Sequence, residues 1–202
     1  MKINGRFDFL PPRNSVLASI VSGALIFLSF PKWNLSLLAW FAFLPLYFAV
    51  NGLGFWKSFI CGWFAGLTAF CGILYWIIPT FQAAGVSIFV GLLALLLLAS
   101  YLALFSGLFA AISENWFSPF SKIGYLLFAP ALWTVFELLR GCLFTGFPWG
   151  LIGYSQHGRA LCSIASVTGI YGISFFLLFM NGVCWILLRG KRYILLSVVL
   201  LL

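Results

Sequence analysis

Glu137 and Arg140 are the residues of this sequence whose type and spacing most readily support chemistry. Standing at i and i+3, they share one face of a helix and can form a charge-assisted pair. Two readings of the pair stand side by side. In one, Arg140 snorkels toward lipid headgroups and Glu137 neutralises it locally. In the other, Arg140 holds a phospholipid phosphate while Glu137 fixes the orientation of its guanidinium fork. The segment that follows, Gly141 to Gln156, is too broken by Gly and Pro to be a span and too aromatic to be a solvated loop. It reads as re-entrant or interface-hugging, because irregular backbone at membrane depth must be covered by protein or line a cavity. Phe147, Trp149 and Tyr154 are then either plain interfacial anchors or the lining of a lipid entrance. Glu137, Arg140, Phe147, Pro148, Trp149, Tyr154, Gln156 and Asn181 are the candidate substrate- or lipid-contact residues.

Other chemistries lack their parts. No Ser–His–acid set, paired carboxylate or phosphate-cradling glycine loop is present. His157 is the only histidine, and the five cysteines, Cys61, Cys71, Cys142, Cys162 and Cys184, include no CxxC pair. The sequence therefore calls for no metal and no cofactor. Cys142 and Cys162 flank the aromatic loop and are read either as a disulfide or as free thiols. Gly62 and Gly66, and Gly169 to Gly172 with Asn181, are read as packing features.

The elements that must position these residues follow from composition. Of 202 residues, 64% are apolar, 20% aromatic and only 7% charged. Soluble domains carry about 25% charged residues, so a soluble globule, a coiled coil and a disordered tail are excluded. The formal net charge of +8 comes from basic residues placed singly between apolar runs, which points to topology and away from nucleic acid.

The expected fold is an all-α integral membrane protein, a polytopic bundle of six complete transmembrane helices plus a truncated seventh, forming one transmembrane domain over 1–202. The spans are expected at about 14–31, 34–50, 57–78, 86–110, 122–140 and 163–187, with 141–158 as the outer loop. Ser58 to Ser113 carries no charge. As one helix it would be about 84 Å long against a hydrocarbon core of about 30 Å. It must turn back, and Pro79 to Gly85 supplies the break. Tyr193 to Leu202 begins a seventh run that covers only about 15 Å, so the sequence is expected to break off inside a span. With the N-terminus inside, Lys2, Arg6, Arg13, Lys57, Lys122, Arg189, Lys191 and Arg192 are cytoplasmic, while Lys32, Arg140 and Arg159 are outside. That distribution satisfies the positive-inside rule. Trp33, Trp56, Trp76, Trp116, Trp149 and Trp185 fall near predicted span ends, as interfacial belts require.

Several runs are specific enough to carry a resemblance. Pro130-Ala131-Leu132-Trp133, Glu137-Leu138-Leu139-Arg140-Gly141, Thr145-Gly146-Phe147-Pro148-Trp149 and Gly153-Tyr154-Ser155-Gln156 form the central cluster. Leu28-Ser29-Phe30-Pro31, Gly72-Ile73-Leu74-Tyr75-Trp76, Tyr101-Leu102-Ala103-Leu104-Phe105, Gly169-Ile170-Tyr171-Gly172-Ile173-Ser174-Phe175 and Asn181 flank it in order. The chain resembles the membrane domain of the bacterial apolipoprotein N-acyltransferase family, with Leu138 standing where that family often has an aromatic. The resemblance implies a multi-pass protein of the bacterial cytoplasmic membrane. It also implies two partners, a membrane phospholipid as acyl donor and a diacylglyceryl apolipoprotein as acceptor. The implied reaction is two-step and ping-pong, through a thioester on a cysteine. Its Glu–Lys–Cys triad belongs to a nitrilase-like domain inserted after the seventh span and followed by an eighth. None of the five cysteines matches that nucleophile, so no catalytic residue is assigned here and this stretch alone is expected to be inactive. A small polytopic transporter and a non-catalytic membrane remnant are the competing readings.

Overall fold

The computed structural model describes residues 10–117, 123–158 and 160–189. The N-terminal Lys2 and Arg6, then Lys122, Arg159, Lys191, Arg192 and the run 193–202 lie outside the described residues. Among the described residues every regular element is helical. The seven α-helices are α1 (Arg13–Leu28), α2 (Leu44–Val50), α3 (Phe55–Ile73), α4 (Ile77–Ala83), α5 (Ile88–Ile112), α6 (Ala129–Cys142) and α7 (Ala165–Arg189).

The bundle is assembled by small residues facing inward and large ones facing outward. Along α3, Ser58, Cys61, Gly62, Ala65, Gly66 and Ala69 are buried at i, i+3, i+4 spacing. Gly62 and Gly66 meet Ala103, Ser106, Gly107 and Ala110 of α5, while Ala65 meets Gly23 of α1. The outer face of α5 carries Phe89, Leu93, Leu96, Leu97, Leu104 and Leu108. Between apolar helices in a lipid-like surround, close backbone approach supplies the association energy, and small side chains permit it. A Cβ at Gly62 would lie 2.4 Å from the Ser106 carbonyl oxygen and 2.5 Å from the Ala110 Cβ. Gly62→Ala should therefore push α3 off α5 and destabilise the fold by about 1–3 kcal/mol, the usual cost of overpacking. The check is a denaturant titration in detergent. A stability equal to the parent's would mean that the two helices are not held at this distance.

Helix directions alternate. α1 and α3 run parallel, with Gly23 against Ala65 and Gly72 against Phe27. α5 is antiparallel to α3, and Gly66 meets Ala103. α6 is antiparallel to α5 through the ring pairs Phe109–Trp133 and Phe105–Phe136. α7 returns antiparallel to α6, with Gly182 against Tyr125 and Gly141 near Tyr171. One end of the bundle therefore carries Arg13, Asn51, Lys57 and Glu114, with Asn51 accepting a hydrogen bond from Arg189. The other end carries Lys32, Arg140 and the aromatic loop.

Three helices, Ile88–Trp116, Gly124–Cys142 and Ala165–Arg189, are long and apolar enough to cross a membrane. Phe55–Ile73 and Ile77–Ala83 form a fourth if taken as one span bent by 44°. Arg13–Leu28 and Ser36–Val50 are shorter, which is fewer full-length helices than the six expected.

The predicted span 34–50 is the largest departure. It is a 3-10 turn, Ser36–Trp40, then a bend, then α2 with a proline in its first turn. The break expected within Pro79 to Gly85 contains the reversal, and a second bend precedes it. The chain bends first at 74–76 and reverses at Ala84 and Gly85, whose φ is +75°. Pro79 sits inside the first turn of α4, where backbone N–H groups have no intrahelical partner to lose. α7 is kinked at Gly169 (φ +66°). Of the predicted belt tryptophans, Trp33, Trp56, Trp76, Trp116 and Trp149 are exposed. Trp185 is buried instead, against Tyr47 and Tyr125.

Candidate functional site

The loop 143–158 folds back over the end of the bundle, and α6 supplies what holds it there. Glu137 and Arg140 share one face of α6, and both point inward, 2% and 3% exposed. Glu137 Oε1 accepts hydrogen bonds from Trp133 Nε1 (3.0 Å), one helical turn earlier, and from the Ile152 backbone N–H (2.8 Å). Arg140 Nη2 donates to the Gly150 carbonyl (3.2 Å), and the Arg140 carbonyl accepts from Phe147 N–H (2.8 Å). The guanidinium packs over the Phe70 ring at 4.9 Å. The pair thus pins the loop at residues 147, 150 and 152.

This arrangement differs from both readings made from sequence. Arg140 does not snorkel, and neither side chain reaches the surface. With Phe105, Ser106 and Trp133 they line a cavity of about 10 Å³, room for one water and no more. Pairing a buried charge with hydrogen bonds inside an apolar bundle is what makes its burial tolerable.

The aromatic residues behave differently. Trp149 and Tyr154 are exposed and line an open, largely apolar groove of about 430 Å³. Phe30, Pro31, Ile73 and His157 complete its wall. The volume falls in the range of small-molecule sites, about 300–1,000 Å³. Trp149 is held edge-on between Trp76 (5.6 Å) and Phe147 (5.5 Å). Pro148 is exposed beside it. Two glycines shape the loop, because Gly146 and Gly150 have φ of +80° and +70°. A Cβ at Gly146 would meet the Gly141 carbonyl at 2.1 Å.

Gln156 and Asn181 do not face the groove. Gln156 is buried; its Nε2 donates to the Ser36 carbonyl (3.0 Å) and to Ser155 Oγ (2.9 Å). Asn181 is buried in α7, where its Oδ1 accepts from Phe43 N–H (3.0 Å). Its Nδ2 donates to the carbonyls of Ala39 (2.9 Å) and Leu177 (2.8 Å). Ser22 Oγ donates to the Ala42 carbonyl from the other side (2.6 Å). In the broken segment 36–50, Phe43 N–H and the carbonyls of Ala39 and Ala42 are therefore met by polar side chains of α1 and α7, as non-helical backbone in an apolar surround requires. Cys142 and Cys162 are both free thiols, and Cys162 Sγ donates to the Gln156 carbonyl (2.9 Å).

Sequence reasoning missed Ser174, whose Oγ accepts from Gly153 N–H (3.1 Å), and Phe70 beneath the guanidinium. Ser174 lies in a run that carried the resemblance and Phe70 in a plain apolar run, but only the folded loop gives either a partner. Phe30, Pro31 and Ile73 had a signal, since they lie in runs that carried the resemblance.

Fold and site together define an all-helical protein with helices apolar and long enough to cross a membrane, and with an aromatic loop pinned over an open groove at one end. Residues 22–183 match the apolipoprotein N-acyltransferase N-terminal domain, and the chain belongs to this family. It is 39% identical over 188 residues to an apolipoprotein N-acyltransferase of Geobacter metallireducens, covering 91% of this chain and 35% of the relative. Proteins of the same name from Wigglesworthia glossinidia brevipalpis and Pasteurella multocida are 32% and 34% identical, covering 88% and 83% of this chain. Those alignments cover 36% and 31% of the two relatives. The chain spans about a third of the length of these curated relatives.

Proposed function

We propose that this chain is the membrane-embedded part of an enzyme that moves an acyl chain from a phospholipid to the N-terminal amine of a diacylglyceryl apolipoprotein. In this reading it lies in the bacterial cytoplasmic membrane with its N-terminus cytoplasmic. The segments 14–31, 34–50, 57–78, 86–110, 122–140 and 163–187 each cross, and 193–202 starts a seventh span. The alternating helix directions support that path, and Arg13, Lys57 and Arg189 at one end of the bundle support the orientation. No residue here is assigned the nucleophile.

The single observation that carries the reading is the groove of about 430 Å³ between Phe30, Ile73, Trp149 and Tyr154, at the end of the bundle opposite those basic residues. Its apolar wall suits an acyl chain, and its position suits a donor lying in the outer leaflet. Both substrates are membrane-anchored, so a membrane domain that fixes them relative to the reacting groups lowers the entropic part of the barrier. Phe147, Pro148, Trp149 and Tyr154 would touch lipid. Glu137, Arg140, Gln156 and Asn181 would act through the shape of the loop and its support.

The test uses the product of the complete gene in proteoliposomes, with a phospholipid donor and a diacylated lipopeptide acceptor. N-acylated peptide, seen by mass, is the expected product. Arg140→Ala releases Gly150 and with it the groove wall, so thioester formation should slow about tenfold at equal amounts of folded protein. Unchanged thioester formation with normal membrane insertion would sink this role for Arg140. Absence of any acylated product from the parent protein would sink the function itself.

A further inference from the structure

Beside the groove stands a cation for which no hydrogen bond or acid is found among the described residues. Lys32 follows Pro31, a wall residue, in the exposed turn after α1. Its ammonium sits 3.2 Å from the centre of the Tyr75 ring and 5.5 Å from that of Trp33. Tyr75 is two residues beyond the wall residue Ile73, and its neighbour Trp76 packs edge-on against Trp149. Lys32, Tyr75 and Trp33 are all exposed. Of the described carboxylates, Glu137 is buried under the loop and Glu114 lies at the opposite end of the bundle, bound to Gly52 N–H and Tyr125 Oη. The rim of the apolar groove is therefore positive, with no exposed described carboxylate to offset it.

We infer that Lys32 reads the phosphate of a glycerophospholipid whose acyl chain occupies the groove, and so selects phosphate-bearing lipids over uncharged ones. The inference rests on the reading of the groove as the acyl-donor site and adds the residue that recognises the donor's headgroup. The aromatic pair holds the ammonium at the rim, at the depth where headgroups lie. A cation over an aromatic face is attracted without being neutralised, so Lys32 keeps its charge for an anion. The apolar wall and the single basic residue match the two parts of one amphiphile.

Binding tests this separately from catalysis. The complete protein is placed in nanodiscs containing a phospholipid with brominated acyl chains, and the quenching of Trp149 is taken as the difference between parent and Trp149→Phe. Brominated phosphatidylglycerol should quench about fivefold more effectively than brominated diacylglycerol, the preference expected of one interfacial cation. Lys32→Ala should abolish that preference, and Lys32→Arg should keep it. Equal quenching by the two lipids in the parent, or an unchanged preference in Lys32→Ala, overturns the inference. Inorganic phosphate at millimolar concentration should leave the quenching unaltered. Loss of quenching with phosphate would mean that the site binds the free anion and not the lipid, which also overturns it. Acyl transfer that fails while the Lys32-dependent preference persists would instead count against the catalytic reading.

Discussion

Glu137→Ala should destabilise the protein by about 3–5 kcal/mol, the cost of leaving a nearby buried charge uncompensated. Three losses act together. Trp133 Nε1 and Ile152 N–H lose their shared acceptor, and the buried Arg140 loses its nearby compensating charge. None of these groups can turn to water, because the loop that would have to open is pinned by Arg140 at Gly150 and Phe147. Glu137→Gln retains an oxygen where Oε1 stands and gives up the charge, so its cost should be smaller, about 1–2 kcal/mol. The comparison is an unfolding titration in detergent, with Val135→Ala as the control, since Val135 lies on the exposed face of the same helix. Limited proteolysis within 143–158 should quicken in Glu137→Ala and stay slow in the control. A Glu137→Ala protein as stable as Val135→Ala would mean that the loop is held by something other than this carboxylate.

The second large effect is expected deeper in the bundle. Asn181→Ala strips one backbone donor and one backbone acceptor of segment 36–50, Phe43 N–H and Ala39 C=O, of their side-chain partner. In an apolar surround neither finds a replacement, and a destabilisation of about 2–3 kcal/mol should follow. Asn181→Asp keeps the acceptor for Phe43 but loses the donor to Ala39, and buries a carboxyl group. The discriminating readout is hydrogen exchange at the Phe43 amide, which should lose its protection in Asn181→Ala. That amide lies in the bend between the 3-10 turn and α2. If its protection is unchanged, the bend is satisfied from elsewhere and the role given to Asn181 is wrong.

These two residues also show what a sequence can and cannot disclose. Both stand out in the sequence because an ionisable or amide side chain in an apolar run is costly without a partner. Their partners were illegible. Ile152 is fifteen residues from Glu137, and Phe43 is 138 residues from Asn181. Spacing rules reach only one turn along a helix, so the sequence pairs Glu137 with its neighbour Arg140. In the folded chain each of the two instead takes hold of loop backbone. Gln156, placed among the contact candidates for its position in the aromatic loop, turned inward for the same reason: Ser36 is 120 residues away.

Segment 34–50 illustrates the converse limit. Its composition is that of a span, and length and hydropathy alone make it one helix. The structure breaks it, and what permits the break is Ser22 on one neighbour and Asn181 on the other. Mean hydropathy is blind to such partners, since it counts residues without regard to what faces them.

By itself the sequence determined the class of fold, through a charge content too low to solvate a globule and apolar runs too long for a soluble core. It also marked Gly62 and Gly66 as positions of close helix approach, because small residues four apart are a local property of the chain. The runs around Glu137 and Trp149 identified the family as well. Tertiary structure alone decided which candidates face a groove and which are buried supports. Trp149 and Tyr154 reach the groove wall, while Glu137, Arg140, Gln156 and Asn181 are spent on backbone groups distant in the chain. The physical reason is the solvent. Where water cannot serve as a partner, every exposed backbone donor or acceptor must be met by another part of the chain, and which part meets it is set only when the helices pack.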